Sequence, residues 1–308
     1  MTSPFASRHY LTDGGIETDL IFHDGFDLPH FSAVMLMRSA EGRAGLAAYY
    51  RRYLDVAAER NTAFLLESPT WRASSDWAGP LGISEAELVR LNRAAIGLMR
   101  ELRADHADRI PSILISGCIG PRGDGYNPGT IMEAGEAADY HHFQTQIFAE
   151  EGVDLVSAIT MTNVPEAVGL VEAANRAGVP SVISFTLETD GRLPTEMPLA
   201  DAIAAVDAAS DPAPVHYMIN CAHPSHFADT LAAGSTWLER LGGLRTNASR
   251  MSHAELNEAV QLDEGDPHEL GELHTGLARQ LSNLRVVGGC CGTDARHVAQ
   301  MAHGWARA

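Results

Sequence analysis

Lysine is absent from this chain of 308 residues; all 22 basic side chains are arginine. That absence excludes whole classes of chemistry, since Schiff-base aldolases, pyridoxal-phosphate enzymes and Walker-A nucleotidases each need a lysine nitrogen. No apolar run approaches the roughly 18 residues of a membrane span, so no membrane partner is expected. The opening Met1-Thr2-Ser3-Pro4-Phe5 has no basic segment followed by an apolar one, so no secretory leader is expected. There is no basic stripe, and a net charge of −18 repels phosphate backbones and anionic lipid, which argues against nucleic acid as a partner. Four cysteines are too few for a disulfide scaffold in a chain this long, and free thiolates suit a cytoplasmic setting. Neither Cys-x-x-Cys nor His-Glu-x-x-His occurs, which removes the usual signatures of thioredoxin chemistry and of zinc peptidases.

What is present is alternation. With 45% hydrophobic residues the chain can bury a sizeable core. Short β-branched or apolar runs predict strands at 9–13, 63–67, 113–118, 155–160, 181–186, 216–221, 241–246 and 284–289. Helix-period segments follow them at 43–60, 84–104, 135–151, 164–177, 199–208, 223–233, 269–281 and 294–303. Ser84-x-x-Glu87 reads as a capping box, and Gly178 followed by Pro180 stops a helix. Eight strand–helix alternations predict an α/β fold, a single (β/α)8 TIM barrel over 1–308. A doubly wound open sheet is the alternative, weakened because the first strand runs into Gly14-Gly15-Ile16-Glu17 and not into a G-x-G-x-x-G turn.

In such a barrel the chemistry sits where strands end. The polar residues there are Asp13 and Glu17, Glu67 and Trp71, Cys118, Thr160, Glu188, Asn220 and Cys221, Asn247, and Cys290 and Cys291. Strand eight lies two places from strand six and, by closure, next to strand one, so Cys221, Cys290, Cys291 and Asp13 are expected on one rim. Three thiolates without an obvious fourth protein ligand describe a zinc site with one open position. Vicinal cysteines in an extended strand would point to opposite faces, and Gly288, Gly289 and Gly292 supply the freedom to turn. A vicinal redox disulfide or plain buried thiols are the competing readings. Cys118 is expected to be a packing residue, and His141-His142 to be solvated or structural on a helix.

With those residues placed, the chain resembles the homocysteine S-methyltransferase family. The resemblance runs over essentially the whole chain: Asp13-Gly14-Gly15, Ser116 to Gly120-Pro121, Asp139-Tyr140-His141, Gly152-Val153-Asp154, Ser184-Phe185-Thr186, Asn220-Cys221, and Gly288-Gly289-Cys290-Cys291-Gly292-Thr293. It implies Zn²⁺ on Cys221, Cys290 and Cys291, and methyl transfer from an onium-type donor to a small-molecule thiol, homocysteine by default, forming methionine. It also implies an acceptor ammonium on Asp13 and a site oriented by Asn220; Thr160, Glu67 and Glu188 are further acceptor candidates by their places at the strand ends. Trp71, Tyr126 and Phe185 are the aromatic candidates for the donor. The chain departs from the family at Glu67, where members carry small polar residues, at the Pro69-Thr70-Trp71 that follows, and at Ile159-Thr160, where members carry Glu-Thr; isoleucine cannot accept a hydrogen bond from an ammonium, a loss of about 1–3 kcal/mol or more unless Glu67 or Glu188 compensates. A different thiol acceptor, a zinc hydrolase or lyase on the same barrel, and a thiol or zinc reservoir are the other readings. Assembly into a homo-oligomer is compatible with all of them.

Overall fold

The computed structural model describes residues 3–5, 8–232 and 235–305; Met1, Thr2 and the expected helix end at Ala233 lie outside them. Eight parallel strands close into a barrel in sequence order: β1 (Tyr10–Leu11), β2 (Ala63–Glu67), β3 (Ile113–Ile119), β4 (Leu155–Met161), β5 (Ser181–Thr186), β6 (Tyr217–Asn220), β7 (Leu241–Thr246) and β8 (Val286–Gly289). Closure is direct, since Tyr10 and Leu11 pair with Val286 and Val287 on one side and with Ala63 and Phe64 on the other. The expected (β/α)8 architecture is therefore the observed one, and the open-sheet alternative is excluded.

Helices follow the strands: α1 (Ile16–Phe22), α2 (Ala40–Glu59), α3 (Glu85–His106), α4 (Ala134–Glu150), α5 (Val164–Ala177), α6 (Leu199–Ala209), α7 (Pro224–Ala232), α8 (His253–Glu258), α9 (Pro267–Ala278) and α10 (Ala295–Trp305). Their ends follow local chemistry. Ser84 accepts from the Glu87 amide at the start of α3, half of the expected capping box. The reciprocal box forms at α8 instead, between Ser252 and Glu255. Gly178 ends α5 in the left-handed conformation, with φ 74°. No described helix is long and apolar enough to cross a membrane.

The strands are buried on both faces, and their alternation divides the core in two. Tyr10, Leu65, Leu155, Val182, Met218 and Val286 fill the barrel interior. Leu11, Phe64, Val156, Ile183, Ile219 and Val287, one residue out of phase, pack outward against the helices. Strand β4 breaks the alternation at its C-terminal end. Ile159 belongs to the interior and Met161 to the outer layer, and the β4–β5 register shifts between Ala158 and Met161. Thr160 is the extra residue of that bulge, held at φ 69°, a left-handed value that a β-branched residue adopts only under local constraint.

Candidate metal and substrate site

The strand ends open into a cavity of about 260 Å³. Its wall carries Cys221 from the end of β6 and Cys290 and Cys291 from the end of β8, as strand counting predicts, with Asp13 on the same wall. Cys221 turns out of β6 with φ 52°, and its carbonyl is held by Asn247 Nδ2 at 3.1 Å and by His253 Nε2 at 2.7 Å. The turn after β8 closes where Thr293 N and Oγ1 donate to the Cys290 carbonyl, at 3.1 and 2.7 Å. Its third residue, Gly292, has the φ of 77° that such a turn requires. The expectation for the other two glycines needs correction. Gly288 and Gly289 sit in ordinary strand backbone, and at Gly289 the reason is space, because a Cβ there would collide with Thr293.

The turn brings both vicinal cysteines to one side. Cys221 and Cys290 are paired through their sulfurs with Cα atoms 5.4 Å apart, so the disulfide joins β6 to β8 and not the vicinal residues. Cys291 Sγ is 3.9 Å from Cys221 Sγ. Ligand atoms of all three lie within 4.8 Å of one another. A tetrahedral zinc thiolate has sulfur–sulfur edges of about 3.8 Å, so the donor set fits that ion once the pair is reduced. Burial pushes the Cys291 thiol up, so that without a bound cation the neutral thiol is the favoured form. The Tyr126 hydroxyl covers the cluster, 3.5 Å from Cys291 Sγ and 3.8 Å from Cys221 Sγ. Tyr126 is itself fixed by stacking on His253, with centroids 4.0 Å apart. Cys118 is a free thiol on the cavity wall and is not part of the sulfur cluster.

Asn220, at the end of β6, ties the bulge to the strand that leads into Cys221. Its Oδ1 accepts from Thr160 N at 2.9 Å and Ser184 Oγ at 2.6 Å, and its Nδ2 donates to Thr160 Oγ1 at 2.8 Å. The bulge puts two consecutive residues, Ile159 and Thr160, on the cavity wall. Trp71 lies against them, its Nε1 donating to the Ile159 carbonyl at 3.1 Å.

The cavity carboxylates are in unlike states. Asp13 is 2% exposed and already engaged: Oδ1 meets Arg245 Nη2 at 2.7 Å and Oδ2 accepts from Tyr49 OH at 2.9 Å. Glu67, 3% exposed, has no hydrogen-bond partner on either oxygen, and burial pushes it up to about 7 against the pull of Arg245. Glu17 lines the wall as well and is also pushed up to about 7 by burial, with the Asp13 charge adding to the shift. At the mouth, the Arg72 guanidinium lies 4.8 Å from the rings of both Trp71 and Trp77 and donates to the His30 carbonyl.

Two expected site residues fall elsewhere. Phe185 is fully buried in the outer core, stacked parallel to Tyr217, because the phase of β5 turns it toward the helices. Glu188 is off the cavity wall and bonds His253 Nδ1 at 3.0 Å. His141, expected to be solvated or structural, is structural: it is buried against Glu166 at 3.0 Å. Arg245, Arg72, Tyr49 and His253 were missed by sequence reasoning. The one usable signal was Arg245, a charge in the otherwise small and apolar run Leu241-Gly242-Gly243-Leu244-Arg245.

Comparison with known proteins agrees with this architecture. The family model for homocysteine S-methyltransferase matches residues 10–304, so the chain belongs to the homocysteine S-methyltransferase family. Betaine–homocysteine S-methyltransferase 1 of Rattus norvegicus is 27% identical over 260 residues, covering 77% of this chain and 60% of the relative. The Bos taurus enzyme of the same name is 26% identical over the same shares. The chain thus spans about 60% of the length of the curated relatives it matches. Among solved structures, the metallated form of the homocysteine methyltransferase MmuM from Escherichia coli aligns with a TM-score of 0.71 at 20% identity, over 98% of this chain and 97% of that one. Its oxidised form gives 0.73 at 21% identity, over 97% and 96%. At that identity the structural likeness speaks for the fold.

Proposed function

We propose that the protein is a zinc-dependent S-methyltransferase that moves a methyl group from an onium-type donor to a small-molecule thiol, with homocysteine as the default acceptor and methionine as the product. The observation that carries this reading is the convergence of Cys221, Cys290 and Cys291 on the wall of the strand-end cavity. Zinc held there would supply an acceptor sulfur stabilised as thiolate at neutral pH. In the transfer one S–C bond forms as the donor's bond from carbon to its onium atom breaks. The donor leaves as a neutral amine or thioether, and the thiol proton passes to solvent.

The chain's own residues supply position. Asn220 fixes Thr160 and the bulged wall beside the sulfurs. The Trp71 indole and the Tyr126 ring face a cavity that also holds Glu17 and Glu67, a setting that attracts an onium charge. Asp13 acts through its bond to Arg245, holding the floor of the site together. Glu188 acts through His253, whose other nitrogen meets the Cys221 carbonyl. Phe185 serves the outer core. A hydrolase or lyase has less support, since the converging ligand set is three cysteines and not the histidine and carboxylate set usual for zinc hydrolases.

The test is methyl transfer to homocysteine from a panel of betaine, S-methylmethionine and S-adenosylmethionine, using reduced protein with and without one equivalent of zinc. Methionine formed from at least one donor only when zinc is present supports the reading. Transfer that ignores zinc, or none to any thiol, overturns it.

A further inference from the structure

We propose that the segment between β3 and α4 is a lid over the metal position, latched by the Tyr126 hydroxyl and opened when the acceptor sulfur takes that hydroxyl's place. The inference rests on the thiol-methyltransferase reading and adds the control of access to the same site. From Gly120 to Glu133 the chain has neither helix nor strand, well beyond the roughly 2–6 residues of an ordinary βα loop. Loops of that length inside a compact fold commonly serve as active-site covers.

The segment is a partition between two spaces. On its inner side Asp124, Gly125 and Tyr126 line the strand-end cavity. On its outer side Arg122, Asp124, Asn127, Pro128 and Thr130 line a second cavity of about 600 Å³, so there is room behind the segment for it to move into. The root is fixed: Arg122 N donates to Glu166 Oε1 at 2.6 Å, and the Arg122 guanidinium donates to Asp76 and Glu136 at 2.7 and 3.0 Å. Beyond Arg122 the hydrogen bonds turn inward. Asp124 Oδ1 accepts from the amides of Tyr126 and Asn127 at 2.8 and 2.9 Å, and Asn127 Oδ1 from that of Gly129 at 3.0 Å. The tip is thereby tied to itself and can move as one body. Gly123 and Gly129 flank it with φ of 83° and 53°, and a Cβ at either would touch nothing, so glycine serves backbone freedom there and not space.

Few polar contacts hold the tip to the barrel. Among the described residues they are the Tyr126 hydroxyl on the sulfurs and a loose approach of Asp124 Oδ2 to Arg72 Nη2 at 3.6 Å. The Tyr126 ring adds its stacking on His253, and Gly125 its close approach to Trp71. The place of the hydroxyl decides what the latch covers. On a tetrahedral zinc, with bonds of about 2.0 Å to oxygen and about 2.3 Å to sulfur, neighbouring oxygen and sulfur corners stand about 3.5 Å apart. The Tyr126 hydroxyl is 3.5 Å from Cys291 Sγ and 3.8 Å from Cys221 Sγ, so it stands at the corner that the three cysteines leave open. An acceptor sulfur needs that corner, and the two exclude each other. A hydroxyl moved off the sulfurs loses the only hydrogen-bond partners it has among the described residues, and the tip loses its latch.

The experiment is amide hydrogen exchange read by mass spectrometry on reduced, zinc-loaded wild type and Tyr126→Phe. Each is measured alone, with homocysteine, and with 2-aminobutanoate, which lacks the sulfur. Calorimetry in the same buffer establishes whether homocysteine binds, and exchange in α4 is the internal control for global opening. In the wild type homocysteine is expected to speed exchange in 121–131 by about 3–10-fold, the worth of one hydrogen bond, while 2-aminobutanoate leaves it unchanged. Tyr126→Phe keeps the ring and loses the hydroxyl; it is expected to show the faster exchange without ligand and no further rise with homocysteine. Exchange in 121–131 that bound homocysteine leaves unchanged or slows overturns the lid, as does equal exchange in the ligand-free wild type and Tyr126→Phe. Homocysteine that fails to bind overturns the thiol reading and with it the trigger, while the ligand-free comparison still decides the latch by itself.

Discussion

Arg245 and Asp13 form a buried ion pair at 2.7 Å, each less than a tenth exposed, joining the end of β7 to the loop after β1. The pair is the floor of the cavity, and its members are hydrogen-bonded on every side. Breaking such a pair by removing one partner leaves a buried charge uncompensated and costs about 3–5 kcal/mol. Arg245→Met is therefore expected to destabilise the protein by that amount in denaturant unfolding at pH 7. The double variant Asp13→Asn/Arg245→Met is expected to recover part of the loss. A cost below about 1 kcal/mol for Arg245→Met would show that the pair is not structural.

Metal content should follow the sulfur cluster and not cysteine number. Cys221→Ser, Cys290→Ser and Cys291→Ala are each expected to abolish stoichiometric zinc, measured on reduced protein by elemental analysis, and to abolish methyl transfer. Cys118→Ser is expected to keep both. Zinc loss in the Cys118 variant would place the metal elsewhere.

Glu67 should cost stability where no ligand is bound. Burial lifts it to about 7 from the ordinary carboxylate value of 4.5, so the unfolded chain gives up its proton more readily. The folded state therefore loses stability as pH rises from 4.5 through 7, by about 3 kcal/mol in all at 1.36 kcal/mol per unit. Glu67→Gln is expected to raise the melting temperature of the ligand-free protein at pH 8, with the gain disappearing near pH 4.5. A variant less stable than wild type at pH 8 would show that Glu67 has a partner in the free protein.

Three buried histidines work in the opposite direction. Burial holds His216 and His274 at about 3 and His223 at about 4, below the usual 6.5. Each costs stability as pH falls from 6.5 toward its folded value, because the unfolded chain takes up the proton first; the slope is about 1.4 kcal/mol per unit per histidine. Glu17 and Glu67 offset part of this between 7 and 4.5. Urea midpoints at pH 7 and 5 are thus expected to converge in His216→Gln and His274→Gln relative to wild type. An unchanged gap would mean that these rings are already protonated in the fold.

Ile159→Glu tests the departure on β4. Ile159 is packed into the barrel interior beside Trp71. A new carboxylate there joins Glu67 and Glu17 on the cavity wall, so like-charge repulsion is expected to weaken homocysteine binding and burial of the charge to lower the melting temperature. Tighter homocysteine binding in this variant would place the ammonium on β4 instead.

The fold was largely legible because each element carries its own signal. The bounds of β2, β5, β7 and α5 match expectation residue for residue. The helices α1 and α8, of seven and six residues, were not anticipated, since two turns are too short to show a 3.6-residue period. Phe185 was assigned to the cavity because β5 is buried on both faces, and a strand without a polar side does not reveal its phase.

The sequence by itself determined the barrel and the three thiols, since strand count and closure are enough to bring the ends of β6 and β8 together. Only the tertiary structure decided how the carboxylates divide their roles. Asp13 is neutralised by an arginine 232 positions away, while Glu67 meets no donor at all. A carboxylate is a carboxylate in sequence; whether it is spent on the fold or left for a ligand depends on what the neighbouring strands bring within hydrogen-bond reach.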